Sequence, residues 1–211
     1  MSDFVWSDDT IIAIDLSREK LIRFAEDGAL SGEIDLPVGL RLNNGLSGLR
    51  LGPAGQIWVE LEGGYHIADF DLDTREFELF DGYPFPGGTY RLVPGLGTTT
   101  TFAAGEVTVD IDSRFGGFIS SYLIGVNPDG SFVIGTTELI ENSEGASRGA
   151  EQARWFEPDG SLIATAVLPV EDQFLFVNHP VVLSAEGTLY YLQTAEEEVR
   201  VLELGWHTAS E

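Results

Sequence analysis

The sequence predicts an all-β protein, a β-propeller of about five four-stranded blades formed as one domain over residues 1–211. Three observations predict it. Short runs rich in Ile, Val, Leu, Phe, Tyr and Thr alternate with polar residues along most of the chain, no stretch reads as a long amphipathic helix, and one turn-to-turn interval occurs twice.

The strand runs include Thr10-Ile11-Ile12-Ala13-Ile14-Asp15-Leu16, Gln56-Ile57-Trp58-Val59-Glu60-Leu61, Glu76-Phe77-Glu78-Leu79-Phe80 and Val199-Arg200-Val201-Leu202-Glu203-Leu204. The best helical stretch, Gly149 to Trp155, is too short to stand alone. The turn Glu26-Asp27-Gly28 precedes a strand ending in Leu36-Pro37, and the next turn, Pro53-Ala54-Gly55, places its glycine 27 residues on (28 to 55). Pro158-Asp159-Gly160 likewise precedes a strand ending in Leu168-Pro169, and Ala185-Glu186-Gly187 repeats the interval of 27 (160 to 187). Such a turn needs glycine's positive φ, and its acidic neighbour hydrogen-bonds the turn backbone.

A four-stranded unit built on these turns takes about 40 to 45 residues, so the chain holds about five. The approximate blades are 4–38, 42–82, 88–117, 118–170 and 175–206. The clearest unit is Leu49 to Phe80. The pattern blurs between Gly82 and Gly117, although Glu106-Val107-Thr108-Val109-Asp110-Ile111 still alternates. Such a sheet cannot bury both faces alone, so neighbours stack; a β-sandwich or barrel, the competing fold, implies even strand spacing without paired intervals. The last pattern ends after a third strand at Leu204. Either the ring is incomplete or Phe4-Val5-Trp6 supplies the missing strand.

The 35 acidic and 11 basic residues give a net charge of −24, which repels phosphate backbones and anionic headgroups and argues against nucleic acid as a partner. Lys20 is the only lysine beside ten arginines, a bias consistent with a high-salt habitat or a GC-rich genome. The absence of cysteine excludes disulfides, thiolate nucleophiles and Cys-ligated metals. No apolar run reaches the eighteen residues of a membrane span, so no membrane insertion is expected. Met1-Ser2-Asp3-Phe4 lacks signal-peptide character; an exported form has lost its targeting segment, and an extracytoplasmic location is favoured over a cytoplasmic one.

The segment Gly48-Leu49-Arg50-Leu51-Gly52-Pro53-Ala54-Gly55-Gln56-Ile57-Trp58-Val59, continuing through His66-Ile67-Ala68-Asp69-Phe70-Asp71 to Thr74 and Glu78-Leu79-Phe80, resembles one repeat of the NHL and virginiamycin B lyase-like propellers. Weaker echoes stand at Val126-Asn127-Pro128-Asp129-Gly130 and Phe156-Glu157-Pro158-Asp159-Gly160. Ala54 replaces the repeat's usual Asp, and Arg75 its usual Gly. The resemblance implies the propeller rather than one activity, because these folds host enzymes, sensors and interaction platforms. It also implies that a lyase of this kind has a histidine base with a glutamate two residues earlier and a magnesium ion. Gly64, Val177 and Gly205 precede the three histidines at that spacing, so streptogramin-lyase activity is not expected.

Asp69, Asp71 and Asp73 alternate at a strand end, where three carboxylates on one face suit calcium or magnesium. The competing reading is an ordinary turn, since Thr74 stands where a calcium loop needs glycine and Phe80 where it needs glutamate. Asp110 and Asp112 read as a solvated strand face, and Glu196-Glu197-Glu198 as a charged connection. His179 and Asn178, in a loop before a strand, are candidate ligand contacts, as are Tyr83 and Phe85 in the Gly/Pro/aromatic stretch Tyr83 to Tyr90. The polar insertion Glu141 to Gln152 is a further candidate contact surface. No serine elbow, phosphate loop, dinucleotide fingerprint or His-Glu-x-x-His site is present.

The leading expectation is therefore a noncatalytic propeller, bacterial in origin and without a required cofactor, that binds a protein, peptide or glycan through loops on one face. The alternatives are a metal-dependent lyase or hydrolase with its site in the axial channel, and a part of a larger propeller or oligomeric assembly. Self-repulsion at a charge of −24 makes stability salt-dependent, because salt screens exposed charges over about 8 to 10 Å near physiological ionic strength. The melting temperature rises between low salt and about half-molar sodium chloride; a flat or falling trend in differential scanning calorimetry contradicts this.

Overall fold

The computed structural model describes residues 3–7, 9–41, 46–93, 97–117, 119–141, 147–169, 180–184, 186–194, 196 and 198–208. The fold is all-β, with five antiparallel sheets as the blades of a β-propeller. Two compact units divide the chain, Met1–Thr89 and Tyr90–Glu211.

In the first unit, β1 (Asp3–Ser7), β2 (Thr10–Asp15), β3 (Lys20–Ala25) and β4 (Leu30–Asp35) form sheet 1 in sequential order. After the one-turn helix α1 (Val38–Arg41), sheet 2 follows as β5 (Leu46–Leu51), β6 (Ile57–Leu61), β7 (His66–Phe70) and β8 (Phe77–Phe80), again in order. Sheet 3 contains β9 (Tyr83–Phe85), β10 (Gly88–Val93), β11 (Thr99–Ala104) and β12 (Val107–Asp112), and the boundary between the units falls inside β10. In the second unit, β13 (Ile119–Val126), β14 (Phe132–Glu141), β15 (Ser147–Phe156) and β16 (Leu162–Leu168) make sheet 4, with β20 (His207–Thr208) added beside β16. Sheet 5 is β17 (Val181–Leu183), β18 (Leu189–Thr194) and β19 (Val199–Leu204).

The repeated interval has a backbone cause. Gly28 and Gly160 end the turns between third and fourth strands, and Gly55 and Gly187 those between first and second strands of the next sheet. All four take φ between 81° and 86°. Each turn carries the same pair of hydrogen bonds, as in Ala25 N to Ala29 O with Gly28 N to Ala25 O, and Ser184 N to Thr188 O with Gly187 N to Ser184 O. Asp27, Asp129 and Asp159 accept from the backbone N–H two residues on. Where Ala54 breaks that pattern, the Gln56 side-chain oxygen accepts from Ala54 N instead.

Packing follows the two-residue period of each strand. Val5, Ile12, Ile14, Leu21 and Ile34 of sheet 1 pack with Leu49, Ile57, Val59, Leu61 and Phe70 of sheet 2. The alternate residues of β6, Trp58 and Glu60, turn the other way, so all five β6 positions are buried. In the second unit, Phe132 stacks between Phe102 and Phe156, with centroids at 6.0 and 5.4 Å. On the far side of sheet 4, Val133, Ala153, Ala166 and Leu168 pack with Val181, Leu189 and Tyr191 of sheet 5.

Several sequence expectations are corrected. Gly149 to Trp155 lies in β15, because its residues pair with β14 over a ten-residue register and cross-strand pairing overrides weak local helix preference. Of the polar insertion, Glu141 and residues 147–152 accordingly belong to paired strands, with Glu141 opposite Ser147. Phe4-Val5-Trp6 lies in β1 and pairs with β2 inside its own sheet; it is not the closing strand of sheet 5.

Trp58 is 1% exposed and meets Phe85 edge-on at 5.2 Å and Tyr83 at 6.1 Å. Gly52 permits this closeness, since a Cβ there would lie 2.7 Å from the indole. Trp58→Ala destabilises the protein by about 3 to 5 kcal/mol through the cavity it leaves. Urea unfolding followed by circular dichroism checks this, and a midpoint equal to the parent's refutes it.

Candidate functional site

The β5–β6 and β7–β8 turns lie side by side and enclose a groove of about 670 Å³ in the first unit. Ile57, Phe70, Leu72 and Phe77 supply its apolar lining. Asp69, Asp71, Asp73, Glu76 and Glu78 supply five carboxylates, and among the described residues no basic side chain lines it.

Local backbone chemistry fixes the acidic side. Asp71 Oδ1 accepts from Asp73 N and Thr74 N, both at 2.8 Å, while Asp71 N donates to Glu76 O. The Thr74 and Asp73 N–H groups hold the Asp71 carboxyl below the usual aspartate range. Arg75, where the repeat normally has glycine, closes the turn at φ 61°.

Asp69 is shifted the opposite way. Burial raises its carboxyl above the ordinary 3.8, the cross-strand Glu78 raises it further, and Asp71 adds a smaller push. The indole N–H of its other cross-strand neighbour, Trp58, opposes this shift without reaching full hydrogen-bond geometry. The groove thus holds a carboxylate whose charge is disfavoured in the folded protein, a pattern common at binding and catalytic sites.

Behind Trp58 lies a buried ionic network. Glu60, 2% exposed, uses one oxygen to accept from Arg50 Nε at 3.2 Å and from the Tyr83 hydroxyl at 2.8 Å. The Arg50 guanidinium lies 5.1 Å from the Tyr83 ring centroid. Burial and the Glu60 charge push the Tyr83 hydroxyl far above the ordinary tyrosine value, so it remains a donor. Burial opposes the Arg50 charge, yet its neighbours, Glu60 and Asp3 among them, hold the guanidinium protonated. The second unit repeats the device: Glu138, 2% exposed, accepts from Ser113 Oγ at 2.9 Å and Arg114 N at 2.8 Å, with Arg154 Nη2 at 3.7 Å.

Of the residues singled out from sequence, Asp69, Asp71 and Asp73 all line the groove, at the end of β7 and in the turn after it. Among the described residues, however, no three His, Asp or Glu side chains are arranged to hold a metal ion, and Asp71 directs an oxygen into its own turn. His66 is partly exposed with Asp81 at 3.0 Å from Nδ1, and His207 is exposed on β20; neither lines the groove. Tyr83 is turned inward and Phe85 is half-buried against Trp58, so β9 serves the packing of the first unit and Tyr83 presents no surface for a ligand. Asn178 and His179 lie outside the described residues. Sequence reasoning missed the Arg50–Glu60–Tyr83 network, whose available signal was a carboxylate inside the otherwise apolar run Ile57–Leu61.

No protein-family model and no curated protein matches the chain. Among solved structures, a member of the DUF4221 family from Bacteroides vulgatus superposes with a TM-score of 0.57 at 11% identity, over 95% of this chain and 76% of its own. The shared property is the propeller fold. Virginiamycin B lyase from Staphylococcus aureus gives a TM-score of 0.47 at 11% identity, covering 95% of this chain and 69% of its own. A streptogramin B lyase gives 0.39 at 9%, covering 98% and 93%. These two weaker superpositions carry no argument about activity.

The electrostatics of Asp69 yield a pH-dependent outcome. Because its folded value is raised, its favourable contribution is complete below the unfolded value near 3.8 and is lost as pH rises through the folded value. Asp69→Asn therefore raises stability at neutral pH by up to about 1 kcal/mol, solvent screening setting the limit. The gain shrinks toward zero as the parent's Asp69 is protonated at low pH. Thermal melts of both proteins across the acid range check this, and a less stable variant at neutral pH refutes it.

Proposed function

We propose that this protein is a noncatalytic β-propeller that binds a cationic peptide segment in the acidic groove between the β5–β6 and β7–β8 turns. The observation that carries the reading is the gathering of five carboxylates in one groove. A lysine or arginine side chain suits such a groove, placing its charged head among the acids and its aliphatic stem against the half-buried Leu72 and Phe77. A cation there also relieves the repulsion between Asp69 and Glu78. The overall charge of −24 supports the same class of partner by steering cations toward the surface.

Isothermal titration with an arginine- and lysine-rich peptide, beside acidic, neutral-glycan and calcium controls, tests the reading. The basic peptide binds, its affinity falls as salt is raised, and Asp69→Asn combined with Glu78→Gln weakens it by about tenfold. Binding unaffected by that double variant, or heat only with the glycan or calcium, overturns it.

A further inference from the structure

Trp58 carries an unmatched polar group into the interior of the first unit. It is 1% exposed, and its indole N–H is buried without a hydrogen-bond acceptor. Folded proteins leave few donors in that state, because such an N–H has given up water and gained nothing in return.

Gly52 and β9 fix the ring. A Cβ at Gly52 would lie 2.7 Å from Trp58 Cε2, the ring carbon bonded to the indole nitrogen, and Phe85 meets the ring edge-on at 5.2 Å. The Gln56 side-chain oxygen, which packs on the same glycine, accepts from Ala54 N at 2.9 Å.

Cross-strand register sets what the N–H faces. Arg50, Trp58, Asp69 and Glu78 form one row across β5, β6, β7 and β8. Side chains of such a row share a face, so Asp69 stands between the Trp58 indole and the Glu78 carboxylate. Arg50, on the other side of Trp58, is engaged with Glu60, and Asp71 is occupied by Asp73 N and Thr74 N of its own turn. The indole N–H favours the charged form of Asp69, while burial and Glu78 oppose it.

Like charges directly opposite on adjacent strands repel, and in the free protein this repulsion keeps Asp69 from closing on the donor beside it. A cation in the groove removes that obstacle. A hydrogen bond to a charged carboxylate is about twice as strong as one between neutral groups. Resting on the reading of the groove as a cation site, we propose that Trp58 is its positioning residue: the indole N–H, unmatched in the free protein, donates to Asp69 when a lysine or arginine side chain enters. Because the bond exists only in the occupied state, its free energy appears in the affinity for the ligand.

The test follows the Trp58 indole resonance by NMR while the arginine- and lysine-rich peptide is titrated into the isotope-labelled full chain. At saturation the Trp58 Nε1 proton moves downfield and its exchange with solvent slows. Asp69→Ala, which removes the acceptor, leaves that resonance at its free position even with peptide in excess. Trp58→Phe keeps a ring in the site without the donor and lowers peptide affinity by about tenfold in isothermal titration. If that variant fails to fold, as judged by circular dichroism, the parent's resonance decides alone. Peptide that binds the parent without moving the Trp58 resonance overturns this proposal and leaves the groove reading intact. So does a shift that survives Asp69→Ala, or a folded Trp58→Phe that binds like the parent. Peptide that gives no heat with the parent overturns the groove reading, and this proposal with it.

Discussion

Face-to-face burial between neighbouring sheets is the constraint on which the other features depend. A three- or four-stranded sheet with strands of about six residues has two faces and little interior, so its apolar residues leave water only when another sheet lies on them. That is why β6 is buried on both sides while outer strands such as β8 and β19 carry exposed residues. It is also why the connecting turns are so uniform. A repeated stack needs sheets of one size, and the glycine turns with their shared hydrogen bonds fix where each strand ends.

Among the described residues, Asp15, Glu60 and Glu138 carry carboxylates into this packing. Glu60 and Glu138 lie on central strands; Glu60 accepts from the Arg50 guanidinium and the Tyr83 hydroxyl, and Glu138 from the Ser113 hydroxyl and the Arg114 backbone N–H, with Arg154 at ion-pair distance. A buried ion pair adds little net stability over an apolar substitute, but removal of one partner strands the other's charge in a poor solvent. The Arg50–Glu60–Tyr83 group therefore holds β5, β6 and β9 in a defined relation. Trp58, packed beside Tyr83 and Phe85, stands opposite Asp69 on the adjacent strand and so joins this group to the groove.

Neighbouring acids in the groove differ for physical reasons. Asp71 is solvated and held by its turn's N–H groups, which favour its charge, whereas Asp69 is partly buried and faces Glu78, which disfavours it. Asp71 does structural work for the turn, and Asp69 is left to interact with whatever enters the groove.

The sequence by itself determined the strands, the turns and the repeat, because these depend on contacts a few residues apart. Periodicity placed Ile57 to Leu61 and Val199 to Leu204 in strands, and glycine chemistry located the turns at Gly28, Gly55, Gly160 and Gly187. It also drew attention to Asp69, Asp71 and Asp73, although not to their unequal electrostatics. Only the tertiary structure decided that Gly149 to Trp155 is a strand, since its partner β14 is needed to override local preference. Only the tertiary structure turned Tyr83 inward to Glu60, gathered Glu76 and Glu78 with the three aspartates, and kept β1 inside sheet 1. Those outcomes depend on which strands meet and which faces lose water, quantities that local spacing does not contain.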